Sequence, residues 1–144
     1  NFCEYFNVYK KNIILLKNQK IYVELGRSLV GQCGNLISRV LFTKNSYNKN
    51  YVILDAGMTE LIRPALYNSY HKISNLTSIK NKFNKYDVVG PLCESSDIFS
   101  KNIKLPFSKR DDIFRIHSCG AYGETMSSNY NLRNSIKSYY SDMI

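Results

Sequence analysis

The sequence predicts a mainly β domain, a barrel or sandwich with short helical insertions. Two observations carry this. Stretches rich in β-branched and aromatic residues recur at 20–24, 36–43, 51–54, 86–92 and 113–117, about five strands in all. The connections between them are polar or bear glycine, and helical pieces are short, which argues against a doubly wound sheet.

Composition sets the outer bounds. The chain has 144 residues and 44% are hydrophobic, enough for one globular domain with a core. No apolar run approaches the roughly 20 residues that a membrane-crossing helix needs. The opening Asn1-Phe2-Cys3-Glu4 is neither basic nor apolar, so no signal peptide is expected. The missing initiator methionine points to a fragment or a processed chain. A net charge of +9 would suit nucleic acid, but the lysines are scattered among asparagines in connecting segments, as in Lys10-Lys11-Asn12 and Asn48-Lys49-Asn50. No nucleic-acid or membrane partner is therefore expected. Cys3, Cys33, Cys93 and Cys119 lack metal-ligand spacing, and His71 and His117 are far apart, so no metal site is expected. Reduced thiols in a cytoplasmic protein are the default.

Taken in order, residues 12–17 suggest a helix. The strand at 20–24 ends in Leu25-Gly26-Arg27-Ser28, and a turn or two of helix over 29–34 stops at Gly34. Residues 36–43 alternate Leu36, Ser38, Val40 and Phe42 with Ile37, Arg39 and Leu41. A hairpin loop over 44–50 returns the chain to an antiparallel neighbour at 51–54. Asp55-Ala56-Gly57 breaks that strand, Gly57 through its backbone freedom, and Asp55 or Thr59 can cap a short helix. Pro64 places Arg63 at a bend or a fresh helix start. A polar loop spans 77–84, and Gly90-Pro91 marks the strand at 86–92 as an edge or a bulge. Residues 98–105 read as a link, 109–112 as a turn, and 124–130 as the start of a helix.

Four stretches carry candidate chemistry: 23–28 (VELGRS), 55–67 (DAGMTELIRPALY), 90–97 (GPLCESSD) and 119–133 (CGAYGETMSSNYNLR). If Pro64 begins a helical turn, Arg63 and Tyr67 face the same way, and a guanidinium fits a carboxylate or phosphate. Taken singly, each has a bland reading: a surface arginine, a strand-end Glu24, a buried Cys93, a packing Tyr122.

As an ordered set, these stretches resemble the C-terminal part of the diaminopimelate decarboxylases, from about Tyr22 to Arg133. The resemblance implies pyridoxal 5'-phosphate as cofactor and a homodimer with shared active sites. It implies that residues 1–28 are the tail end of a (β/α)8 barrel, including its last strand, and that 29–144 are a C-terminal β-domain incomplete at its end. Glu24 resembles the carboxylate that keeps the pyridine nitrogen protonated, so that the ring can act as electron sink when carbon dioxide departs. Gly26 lets the backbone approach the phosphate. Arg27, Arg63 and Tyr67 would grip substrate carboxylates, and Tyr122 would touch both phosphate and substrate. Cys93 resembles the proton donor to the product carbon, and Glu94 the partner of the distal ammonium of meso-diaminopimelate, both reaching the neighbouring subunit's site. The family's proline and glycine are replaced by Leu25 and Ser96, which implies a less rigid turn before Gly26 and a strained or shifted loop at Cys93.

No lysine here matches the one that forms the Schiff base with the cofactor, so the fragment is expected to be inactive alone. The implied reaction converts meso-2,6-diaminopimelate to L-lysine and carbon dioxide. An ornithine, arginine or carboxynorspermidine decarboxylase is the alternative within the family. Arg63 with Tyr67 and Cys93 with Glu94 favour diaminopimelate. A non-catalytic β-domain remnant is the alternative outside it.

Overall fold

The computed structural model describes residues 1–79 and 81–143. Lys80, within the expected polar loop, and Ile144, the end of the expected β-domain, lie outside the described residues. The first element is helix α1 (Phe2–Asn12). The Asn1 side chain accepts from the Cys3 N–H, Glu4 sits in the first turn, and Lys10 and Lys11 sit in the last, all matched to the helix dipole. The helix thus precedes the expected 12–17. Its C-cap Ile13 is extended, and it is followed by Ile14, Leu15 and Leu16 without regular structure.

The stretch 20–24, expected as a strand, has no ladder. Its residues are exposed, and among the described residues no strand lies beside it to pair its backbone. Helix α2 (Arg27–Val30) and a 3-10 turn (Gly31–Cys33) then end at Gly34, as expected.

Six strands follow: β1 (Leu36–Ser46), β2 (Lys49–Leu54), β3 (Ile73–Asn75), β4 (Phe83–Val89), β5 (Ile98–Pro106) and β6 (Ile113–Ile116). They form one sheet in the order β3-β6-β1-β2-β4-β5, antiparallel except for the parallel β2–β4 pair. The expected seven-residue hairpin loop shrinks to Tyr47-Asn48. Both have positive φ (51° and 59°), the left-handed pair that fits the twist of a two-residue hairpin. The edge strands meet behind the sheet. Ser78 Oγ donates to the Phe107 carbonyl (2.8 Å) and Asn75 Nδ2 to Ser108 Oγ (3.0 Å), so the sheet curls toward a closed barrel.

Val40, Val52, Leu54, Leu61, Val88, Phe114 and Ile116 fill the interior. Leu36, Ser38 and Val40 point inward as the alternation predicts, but Phe42 does not. A bulge between Val40 and Phe42 shifts the phase, and Phe42 lies outside under the Arg110 guanidinium, 5.3 Å from its ring. β4 lies between β2 and β5, so of the two readings of Gly90-Pro91 the bulge holds and the edge does not. The presumed link at 98–105 is β5, the true edge. Asn102 adopts φ 54° within it and gives its N–H to the buried Asp87 carboxylate at 2.6 Å.

Residues 124–130 make turns rather than a helix. Ser127 Oγ donates to the Glu124 carbonyl and Thr125 Oγ1 to the Tyr122 carbonyl, competing with the helical ladder. Among the described residues, no helix is long and apolar enough to cross a membrane.

Candidate functional site

The turn after β2 is fixed from three sides. Asp55 does not cap a helix. Its Oδ1 accepts from the buried Ser38 hydroxyl (2.5 Å) and the Arg39 N–H (2.9 Å), which pins the end of β2 to β1. Ser38 Oγ in turn accepts the Ala56 N–H at 3.1 Å. The Glu60 carboxylate accepts from Gly57 N–H (2.6 Å) and the Thr59 hydroxyl (2.8 Å). Helix α3 (Arg63–Tyr67) starts next with Pro64 in its first turn and no side-chain cap.

Asp97 joins this turn to the 90–97 loop. It is 3% exposed and accepts from the Met58 N–H (2.7 Å) and the Leu92 N–H (2.8 Å). Burial is the foremost influence on its carboxyl and raises its pKa, while the two N–H donors pull the other way. The adjoining glycines make room for it. A Cβ on Gly57 would stand 2.7 Å from Asp97 Oδ1, and one on Gly90 would overlap the carboxylate. Gly57 therefore serves by its size and not by unusual angles, since among the described glycines none has positive φ. Ser96 is likewise free of left-handed strain, and its hydroxyl lies 3.6 Å from Met58 Sδ.

The 119–133 stretch closes over both. Cys119 N–H and Gly120 N–H bond the carbonyls of Gly34 and Gly31 (2.8 and 3.1 Å). A Cβ on Gly120 would overlap the Val30 carbonyl. This brings Tyr122 to the first stretch. The Arg27 guanidinium donates to the Ala121 carbonyl and lies 5.3 Å from the Tyr122 ring centroid. A Cβ on Gly26 would stand 2.6 Å from the Tyr122 hydroxyl, so the phenol rests against bare backbone. Ser128 N–H bonds the Thr59 carbonyl (2.9 Å), and Arg133 donates to Glu60 Oε1 (3.1 Å) and to the Asp55 carbonyl (2.5 Å).

The expected site residues thus fall into sets. Gly26, Arg27 and Tyr122 meet. Arg63 lies 5.5 Å from the Tyr67 ring. The pKa of the buried His71 is lowered, by burial first and then by the charges of Arg63 and Arg27, while its bond to the His117 carbonyl opposes them. Glu94 accepts a 2.6 Å bond from the Tyr130 hydroxyl, and Cys93 is exposed beside it. Glu24 is exposed and makes no hydrogen bond or ion pair among the described residues, so the fold does not tie it to the others. Cys119, buried, has its thiol pushed up to about 11, which leaves it inert as a nucleophile. Asp97, Glu60, Tyr130 and Arg133 escaped the sequence reading as site-shaping groups. The glycines at 57 and 90 were the available signal for Asp97.

The chain's own groups fit an anionic ligand. Arg63 Nε is a buried donor without an acceptor, and the Tyr67 and Tyr122 rings stand exposed beside the arginines. Among the described residues, no cluster of His, Cys, Asp or Glu could hold a metal ion.

A small curled sheet whose connecting segments carry an Arg27–Tyr122 pair, an Arg63–Tyr67 pair and a Glu94–Tyr130 pair is a domain with groups suited to a charged ligand. The model of the family described as "Pyridoxal-dependent decarboxylase, C-terminal sheet domain" matches residues 6–120, and the chain belongs to that family. It is 53% identical to the diaminopimelate decarboxylase of Bacteroides thetaiotaomicron, over 99% of this chain and 36% of that protein. It is 45% identical to that of Zymomonas mobilis, over 81% of this chain and 27% of that protein. The chain therefore spans about a third of the length of these curated relatives. Among solved structures, the Helicobacter pylori diaminopimelate decarboxylase (I148L mutant) complexed with L-lysine matches with a TM-score of 0.71 and 46% identity, covering 76% of this chain and 27% of that one. The M. jannaschii enzyme in co-complex with L-lysine matches with a TM-score of 0.77 and 36% identity, covering 91% and 29%. The mainly β reading of the sequence is borne out by both fold and family.

Proposed function

We propose that this chain is the C-terminal portion of a pyridoxal 5'-phosphate-dependent diaminopimelate decarboxylase that converts meso-2,6-diaminopimelate to L-lysine and carbon dioxide in lysine biosynthesis. The observation that carries the reading is the buried, acceptor-less Nε of Arg63 beside Tyr67, in a family whose relatives include lysine-bound decarboxylases. Residues 1–28 form the tail end of the cofactor-bearing barrel, and 29–144 belong to the β-domain. The exposed Ile14, Leu16 and Tyr22 support this, since they have no cover from the sheet. The enzyme is a cytoplasmic homodimer whose subunits share active sites.

Gly26 and Tyr122 hold the cofactor phosphate, the first by offering backbone and the second by its hydroxyl. Glu24 faces the ring nitrogen. When bound, the cofactor would supply a protonated pyridine ring to take up the electron pair left on the substrate carbon as carbon dioxide departs. Arg27 and Arg63 bind substrate carboxylates through paired N–H donors, with Tyr67 flanking Arg63. Glu94 neutralises the distal ammonium and so selects a substrate with a second amino-acid centre. Cys93 delivers the proton that replaces the departing carboxylate.

The decisive experiment assays the complete enzyme for lysine and carbon dioxide release from meso-diaminopimelate, with ornithine as competitor. Turnover of diaminopimelate alone is expected. Turnover of ornithine without diaminopimelate would overturn the substrate assignment.

A further inference from the structure

We infer that Tyr130 is a positioning residue for Glu94, holding one carboxylate oxygen so that the other faces the distal ammonium of the substrate. This rests on the role assigned to Glu94 above. The Tyr130 hydroxyl donates to Glu94 Oε1 at 2.6 Å across 36 positions of sequence. Among the described residues, Glu94 Oε2 has no partner, and Tyr130 is the only group bonded to the Glu94 side chain. Glu94 itself is exposed, on a loop anchored at its far end through Asp97. Left alone, an exposed glutamate samples several rotamers, and ordering it on binding weakens affinity.

Tyr130 is suited to prevent this because its own turn is tied down on both sides. Ser128 N–H bonds the Thr59 carbonyl, and Arg133 bonds Glu60 and the Asp55 carbonyl. Asn129 Nδ2 closes the turn onto the Arg133 carbonyl (2.9 Å) and Ser135 Oγ (3.1 Å). A phenol has few torsions, so the anchored turn is conveyed to its hydroxyl. The bond to Glu94, followed by that carboxylate's charge, raises the Tyr130 pKa, so the group stays a donor. The pinned turn after β2 is in this way linked to the carboxylate that reads the substrate's far end.

The test uses the complete, cofactor-loaded enzyme and compares wild type, Tyr130→Phe, Glu94→Gln and the double variant in steady-state turnover of meso-diaminopimelate. Tyr130→Phe is expected to raise KM about threefold to tenfold, with a smaller change in kcat. Glu94→Gln should raise KM further, and the double variant should match Glu94→Gln, since Tyr130 acts only through Glu94. Loss of one exposed hydroxyl should leave the thermal unfolding midpoint and cofactor absorbance at wild-type values. An unchanged KM in Tyr130→Phe beside a raised KM in Glu94→Gln overturns the proposal and spares the assignment of Glu94. So does a Tyr130→Phe effect that persists in full on top of Glu94→Gln. A KM insensitive to Glu94→Gln overturns the assignment of Glu94 and the proposal with it.

Discussion

Residues 55–61 and residues 13–26 are both connecting segments outside the sheet, yet one is locked and the other lies open. In the first, Leu61 is 1% exposed and the backbone donors of residues 56–58 go to side-chain oxygens of Ser38, Glu60 and Asp97. In the second, Ile14 is 96% exposed, and between the Ile13 N–H bond to Tyr9 and the Gly26 carbonyl bond to Leu29 only the Leu16–Gln19 turn is hydrogen-bonded among the described residues. Hydrophobicity does not separate them, since 13–16 is the more apolar run. What separates them is whether polar partners from distant strands meet the backbone. A segment is fixed by the accounting of its N–H and carbonyl groups as much as by its apolar side chains.

The sharpest way to break this contrast is to remove the acceptor that serves two loops at once. Asp97→Ala leaves the Met58 and Leu92 N–H groups without their partner and should cost about 3 kcal/mol in urea unfolding. A loss below about 1 kcal/mol would show that water replaces the carboxylate freely.

The next effect lies in binding rather than folding. Arg63→Ala in the complete enzyme removes a charge-assisted grip worth about 1.5–3 kcal/mol and should weaken substrate binding roughly tenfold to a hundredfold. Cofactor absorbance should hardly change. Parallel loss of cofactor would make Arg63 a structural residue.

A gentler probe is pH. The folded-state pKa of His71 is lowered, with burial the largest cause and Arg63 and Arg27 contributing. On acidification the unfolded chain therefore takes up the proton first. The contribution is fully present above the ordinary imidazole value of 6.5 and is lost as pH falls through it toward the folded value. Urea midpoints should decline as pH falls below the ordinary imidazole value of 6.5, and His71→Asn should flatten the slope. The residual slope belongs to His117, which is also lowered, by burial and then by Arg115 and Lys72.

The smallest effect is expected in the open segment. Leu16→Ser should change the stability of the isolated chain by less than about 0.5 kcal/mol. In the complete enzyme the same change should cost measurably more, because a covering barrel would bury that side chain. Equal, negligible effects in both would remove residues 13–26 from any interface.

Much of the sheet was legible. β1, β2, β4 and β6 carry β-branched and aromatic runs; the alternation holds in β2, β6 and the first half of β1, while bulges break it beyond Val40 and in β4. β5 was missed because Lys101 and Asn102 interrupt its apolar positions, and the left-handed Asn102 is stabilised by Asp87, fifteen residues away. The strand expected at 20–24 has the right residue types and no neighbour to pair with. Among the candidate site residues, the pairing of Arg63 with Tyr67 was readable from helical spacing because Pro64 lies in the first turn of a helix. Asp97, Glu60 and Arg133 were not, since each acts through a partner on another loop.

By itself the sequence determined four of the strands, the hairpin between β1 and β2 and the residue types able to hold a carboxylate, because these follow from local periodicity and side-chain chemistry. Only the tertiary structure decided which way Phe42 faces, why Gly57 and Gly90 must be small, and that Gly26 lies against Tyr122. Those facts depend on bulges and on contacts between residues tens of positions apart, and no local pattern encodes which distant atom will occupy a given space.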